Sequence, residues 1–297
     1  MTPAKPPLLT LSNVPSWFDA NPFIHTGYRP ESQSWRKSLA SWLYIHNETG
    51  NIFSHLIPGI SLLLTLLLGL PASTSTDTDP KATNPTPKQE EQDRTNNIVI
   101  TVQLCAAILC LLTSALYHTG LNHSARVAHQ ALQCDHGGIL MLILGNFVSG
   151  LHFGFYCAPA LKNLYWSLIV ASSTGTGICL LSPWFRGSQW RFVRLSSCIA
   201  TGLFAFAPIS HAGYLWGPGY LMRVGVPYYL LEGALLLFGC YLFQTRIPES
   251  LYPGRFDIWG HSHTLWHVLV ALSIVAHMGG LLSAREYNDQ HAPCRVF

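Results

Sequence analysis

Hydrophobic positions in this chain fall into long unbroken runs, not into alternating or amphipathic patterns. Residues 52–70, 97–119, 163–185, 195–222 and 258–284 contain no Asp, Glu, Lys or Arg. Residues 127–161 contain only Asp135, and residues 224–245 contain only Glu232. A bilayer core about 30 Å thick takes roughly 20 helical residues to cross. All seven runs meet that length, so the pattern predicts an all-α membrane protein with seven transmembrane helices. A membrane β-barrel is excluded, because its strands alternate in polarity over about ten residues. Pro208 and Pro227 are expected to kink the fifth and sixth helices.

The polar stretches complete the organisation. Residues 1–50 carry prolines and scattered tryptophans and form a polar N-terminal segment, expected to include an interfacial or amphipathic helix. No apolar signal-peptide core opens the chain. Residues 72–96 are rich in Ser, Thr, Asp and Pro and are expected to be a disordered spacer. The helical domain is taken as 51–284, followed by a short extracytoplasmic tail, 285–297.

Composition sharpens the class. Charged residues make up 10% of the 297 positions, against about 25% in soluble domains. The formal net charge is +3 and no basic run is present, so a nucleic-acid partner is not expected. Seven spans place the termini on opposite sides. Ten basic residues fall on the N-terminal side: Lys5, Arg29, Arg36, Lys37, Arg126, Arg186, Arg191, Arg194, Arg246 and Arg255. The opposite side has the other seven, so the positive-inside rule predicts a cytoplasmic N-terminus. Two sequons, at Asn47 and Asn122, lie on that side and should stay unglycosylated. The cysteines show no CxxC spacing, and most lie within spans as small apolar residues.

The chain has 14 histidines, and their depths single some of them out. Helix two ends in Ser114-Ala-Leu-Tyr-His118, helix three begins near Asp135, and helix seven begins His261-Ser-His263-Thr-Leu-Trp-His267. Alternating directions put Ser114, His118, Asp135, His263 and His267 at one depth on the N-terminal side. His263 and His267 are four apart and share a helical face. With His118 they offer three nitrogens, the donor set of a catalytic zinc site with one open position. Asp135 is a carboxylate in the hydrocarbon zone, costing roughly 2.5–3.5 kcal/mol unless partnered. A metal-bound water is a fitting partner whose proton it can accept. Ser114 has two readings, an oxyanion donor or a serine bonded back to its own helix. His261 is expected to be interfacial, and His152, His211 and His277 to be packing groups near the opposite face. Glu232 has no evident partner.

These residues lie in motifs that resemble a known family. Asn21-Pro-Phe-Ile-His25-Thr-Gly-Tyr-Arg29-Pro and His46-Asn-Glu48-Thr-Gly-Asn51-Ile-Phe-Ser-His55 are similar to the N-terminal signatures of progestin and adiponectin receptors and haemolysin-III-type proteins. Ser114-x-x-x-His118, Asp135, Arg246-Ile-Pro-Glu249 and Pro253-Gly-Arg-Phe-Asp257-Ile-Trp-Gly-His-Ser-His263-x-x-x-His267 match the remaining signatures in order. The likeness covers 21–280, and the 72–96 loop resembles an elaboration of fungal members tied to zinc homeostasis. It implies a seven-helix fold inverted relative to G-protein-coupled receptors. It also implies one zinc ion per chain on His118, His263 and His267, with Asp135 near the zinc-bound water. Adiponectin receptors are credited with ceramidase activity, so the resemblance implies hydrolysis of a lipid amide such as ceramide in the plasma membrane or endoplasmic reticulum.

Two functions stay open on the residues. One is a zinc-dependent lipid amidase with Asp135 and Ser114 catalytic. The other is a receptor with a structural zinc, for which an extracellular protein ligand is the expected partner. A transporter is disfavoured because the polar groups gather on one face and do not cross the bilayer.

Overall fold

The structure, a computed structural model, describes residues 6–18, 20–69 and 87–291. Among them the seven apolar runs are helices long enough to cross a membrane. A short helix α1 (Trp35–Ala40) precedes α2 (Thr49–Leu67), α3 (Pro87–Gly120), α4 (Ala125–Gly154) and α5 (Pro159–Leu181). The fifth span is divided into α6 (Arg191–Leu203) and α7 (Phe206–Arg223), and α8 (Val226–Thr245) and α9 (Ser262–Gln290) follow. Large apolar side chains such as Leu64, Val170, Phe238 and Val275 stay exposed on the outside of the bundle. That is the arrangement expected where lipid, not water, covers the surface.

The prolines act differently from one another. Pro208 removes an amide from the first turn of α7, and the helix break between α6 and α7 lies just before it. Pro227 was expected to kink helix six. It stands instead in the first turn of α8, where its fixed φ and missing N–H suit a helix start. The bend within the fifth span is at Gly217, whose φ of 78° falls outside the helical region.

The spacer expected over 72–96 has its first part, to residue 86, outside the described residues. Over 87–96 the chain is already α3. Gln89, Glu90, Glu91 and Gln92 are good helix formers, and the apolar run that follows extends the helix back through them.

Helix α3 packs on α2 and α4, α8 packs on α9, and α2 reaches α9. Between α3 and α4 the approach depends on Gly138, where a Cβ would sit 2.9 Å from Cys110 Cα. Between α2 and α9 it depends on Gly50, where a Cβ would sit 2.9 Å from the Thr264 methyl. Three core clusters fill the interior, one of them joining α4, α5 and α7 around Leu151, Phe155, Ile169 and Ala212. Two lie along α3 and α9. One, around Ala107, Leu111, Leu142, Val270 and Ile274, lies toward the histidine end. The other, around Ile100, Leu104, Phe153 and Leu281, lies toward the opposite end.

The polar N-terminal segment folds across the histidine end as a collar. Asp257 accepts hydrogen bonds from the His25 amide at 2.8 Å and the Thr26 hydroxyl at 2.7 Å. Glu249 accepts from Asn21 Nδ2 at 3.0 Å and from the Ser262 amide, at the start of α9, at 2.7 Å. Buried Arg29 donates to the Ser41 hydroxyl and to the carbonyls of His118 and Thr119, so it caps the last turn of α3. Burial pulls the Arg29 guanidinium down to about 10, against the opposing charge of Glu48, and it stays cationic at neutral pH. Both sequon asparagines are buried in this collar.

Candidate metal centre

His118 comes from the end of α3, and His263 and His267 come from the first turns of α9. One ring nitrogen from each lies within 4.8 Å of the others. His118 Nε2 and His263 Nε2 are 3.2 Å apart. His118 and His267 are buried and His263 is half-buried.

The partners of the outer nitrogens decide what the inner ones offer. His118 Nδ1 is 2.7 Å from Glu48 Oε2, and a carboxylate only accepts, so Nδ1 carries the hydrogen. His267 Nδ1 is 3.0 Å from the Asn51 carbonyl oxygen, another pure acceptor. Both rings are therefore set as the tautomer whose Nε2 lone pair is free to bind a cation. Two fixed lone pairs plus the third imidazole fit a transition-metal ion such as zinc, which favours nitrogen donors in a tetrahedral set.

A supporting layer comes from α2. Glu48, Asn51 and His55 follow helical spacing and share the face turned to α3 and α9. Asn51 Nδ2 donates to Glu48 Oε2 at 2.6 Å. Its side-chain oxygen accepts from the Thr264 hydroxyl at 2.7 Å. The His55 ring stacks on His267 with centroids 3.9 Å apart and 6° between planes, and its Nε2 lies 3.1 Å from the His267 carbonyl oxygen. Burial pushes the Glu48 carboxyl up, but the hydrogen bond from His118, with the Arg29 charge and the Asn51 hydrogen bond, holds it well below the usual carboxylate range. None of these three α2 residues was among the expected ligands or catalytic groups. Their signal was the i, i+3, i+7 polar stripe at the start of an otherwise apolar helix.

Asp135 lies about three turns into α4, within electrostatic reach of His118 and facing Ser114 of α3. Ser114, read from the sequence as an oxyanion donor or a serine bonded back to its own helix, is buried at this α3–α4 contact. His261, expected at the interface, is a buried residue at the start of α9 and reaches the Asn47 carbonyl oxygen and the Thr264 hydroxyl.

At the opposite end, Glu232 has partners that the sequence did not disclose. Its carboxylate meets His277 Nδ1 at 2.7 Å and accepts from Asn146 Nδ2.

Comparison with known proteins matches residues 43–278 to a family model described as haemolysin-III related. The chain belongs to the haemolysin-III-related family. It is 32% identical over 284 residues to the ADIPOR-like receptor IZH2 of Saccharomyces cerevisiae, covering 94% of this chain and 84% of that one. It is 31% identical over 287 residues to the adiponectin receptor protein of Drosophila melanogaster, covering 96% of this chain and 61% of the relative. Similarity to the progestin and adipoQ receptor-like protein 1 of Caenorhabditis elegans is 30% over 288 residues, covering 95% and 62%. The chain thus spans about three-fifths of the two animal relatives. The family's matched region takes in α2 through most of α9 and therefore the whole histidine trio.

Proposed function

We propose that this family member is an intramembrane zinc-dependent amidase that cleaves a lipid amide of the ceramide class. The observation that carries the reading is the pair of fixed tautomers, His118 on Glu48 and His267 on Asn51, turning lone pairs toward His263, with Asp135 in electrostatic reach of His118. His118, His263 and His267 would hold the zinc ion, which would supply Lewis-acid polarisation and lower the pKa of a bound water.

The chain's own groups do the rest. Asp135 removes a proton from the attacking water, and the Ser114 hydroxyl holds the carboxylate in position for that transfer. As the amide C–N bond breaks, Asp135 returns the proton to the leaving amine. Glu48 and Asn51 keep the ligand rings from rotating, and His55 packs flat on His267. Arg29 ties the end of α3 to the collar, which keeps His118 at the height of α9. The site lies within the apolar spans, so a lipid reaches it sideways from the bilayer.

The proposed orientation has the N-terminus and the histidine end in the cytoplasm. It is supported by the excess of basic residues on that side and by the burial of Asn47 and Asn122. Cys157, in the connection between α4 and α5 at the other end, is disulfide-bonded. Disulfides persist in oxidising, extracytoplasmic compartments. Plasma membrane and endoplasmic reticulum both satisfy this topology.

A second reading is a receptor in which zinc fastens α3 to α9. It is supported by the receptor names of the relatives, and its partner would be an extracellular protein ligand. Purified protein with its zinc content measured, incubated with ceramide, separates the two. Fatty-acid release that vanishes in Asp135→Asn establishes the amidase. Zinc at one per chain with no release establishes the receptor.

A further inference from the structure

One segment of the collar has its polarity turned inside out. Helix α1 runs into a 3₁₀ turn, Ser41–Leu43, a few residues before α2 begins. Its small polar side chains point inward, and Ser38 and Ser41 are fully buried. The Ser38 hydroxyl donates to Asn122 Oδ1 at 2.9 Å, and the Ser41 hydroxyl accepts from Arg29 Nη1 at 2.8 Å. Trp42 Nε1 donates to the Thr119 hydroxyl at 3.0 Å, at the end of α3. The outward side is apolar. Trp35 and Leu39 are exposed, Leu43 is 76% exposed and Ile45 is 53% exposed. A protein surrounded by water would place these serines outside and these leucines inside.

Position and charge say what covers this face. The Trp42 ring lies 6.3 Å from that of Phe53 near the start of α2, so the segment is level with the entry of α2 and the exit of α3. There it borders the lipid-facing exterior of α2, where Ile57, Ile60 and Leu64 are exposed. Arg36 and Lys37 are exposed on the same segment. No Asp or Glu occurs from residue 32 to residue 47, and among the described residues neither cation forms an ion pair. Aromatic and aliphatic side chains beside cations suit a segment lying in the plane of the headgroup–acyl boundary. Each Lys or Arg held there attracts anionic headgroups. A second copy of the segment would instead set like charges against each other, which is unfavourable.

We propose that residues 35–45 form a binding site for anionic phospholipid, in which Trp35, Leu39, Leu43 and Ile45 enter the headgroup–acyl boundary and Arg36 and Lys37 bind the lipid phosphate. The site is separate from the chemistry of the histidine trio and does not depend on it. It is nevertheless tied to the bundle. Ser41 holds Arg29, and Arg29 caps the carbonyls of His118 and Thr119. A Cβ at Gly120 would sit 2.8 Å from the Trp35 ring, so the start of α1 also rests directly on the end of α3. A lipid seated on α1 therefore braces the collar against that helix end.

The test is native mass spectrometry of the full chain, released from nonionic micelles that contain equal amounts of phosphatidylserine and phosphatidylcholine. The wild type should retain phosphatidylserine in preference to phosphatidylcholine. Arg36→Gln and Lys37→Gln should each cut that preference by about fivefold, and the double variant by about 25-fold. Leu43→Gln should lower the affinity for the retained lipid by about tenfold. All of these side chains are exposed, so the variants should keep the wild-type helix content by circular dichroism. Arg186→Gln removes another exposed cation, in the connection after α5, and should leave the preference unchanged. No preference in the wild type, a preference that survives the double variant, or an equal loss in Arg186→Gln overturns the proposal. So does a dimer in the same spectra that Leu43→Gln dissolves, which would give the face to a second copy.

Discussion

Glu48 Oε2 stands 2.7 Å from His118 Nδ1, joining the start of α2 to the end of α3 behind the face that His118 turns to α9. The contact fixes the ring's tautomer and orientation together, because a carboxylate can only accept. It also makes the imidazole a more basic ligand. Glu48→Gln keeps the shape but not the charge. Its zinc affinity should fall by about 10–100-fold in competition titrations against a chelator, with the helix content unchanged. Equal affinity in the two proteins would remove Glu48 from the metal centre.

The same carboxylate gives the protein an acid limit. Glu48 is held below its unfolded value, so its contribution is fully present above the unfolded pKa of about 4.3. It is lost as pH falls toward the folded value. The stability gap between wild type and Glu48→Gln should be widest near neutral pH and shrink below about pH 4. Melting temperatures of both proteins across that range check the sign. A gap that widened in acid would contradict the pairing.

Removing a ligand differs from removing a proton acceptor. His267→Ala should abolish stoichiometric zinc in metal analysis and make the protein insensitive to chelator in thermal melts. Asp135→Asn should keep zinc and the wild-type melting temperature to within a few degrees. Its lipid-amide hydrolysis should fall by about 10²–10⁴-fold. Ser114→Ala should give a smaller loss in the same assay, since it orients Asp135 without holding the transferred proton.

Much of this was legible in the sequence because depth in a bilayer is a linear coordinate. Counting along apolar runs located seven helices and put His118, Asp135, His263 and His267 at one end without knowing any contact. What depth cannot supply is azimuth. Glu48 stands just before the first span and looked like part of a polar segment, and only the rotation of α2 turns it onto His118. Glu232 and His277 lie on α8 and α9 with 44 residues between them, and nothing in either helix alone indicates that the two faces meet. Helix breaks were half legible. A proline marks one, but whether it bends a helix or starts one depends on where the preceding turn ends, as Pro208 and Pro227 illustrate.

The closeness of α3 and α4 can be tested independently of any ligand. Gly138 lets the two helices approach until a Cβ would lie 2.9 Å from Cys110 Cα, and the Ser114 to Asp135 contact crosses the same interface. Gly138→Ala should push α4 outward and destabilise the protein by about 1–3 kcal/mol, overriding the roughly 1 kcal/mol that alanine gains over glycine in a helix. Zinc should remain bound, because its three ligands come from α3 and α9 alone. Hydrolysis should fall as Asp135 moves with α4. Gly137 has no neighbour within 4 Å of its Cβ position, so Gly137→Ala is the control and should be neutral or mildly stabilising. Thermal melts, zinc content and the amidase assay on the two variants together separate helix packing from propensity. Equal losses in both would mean that the α3–α4 approach does not position Asp135.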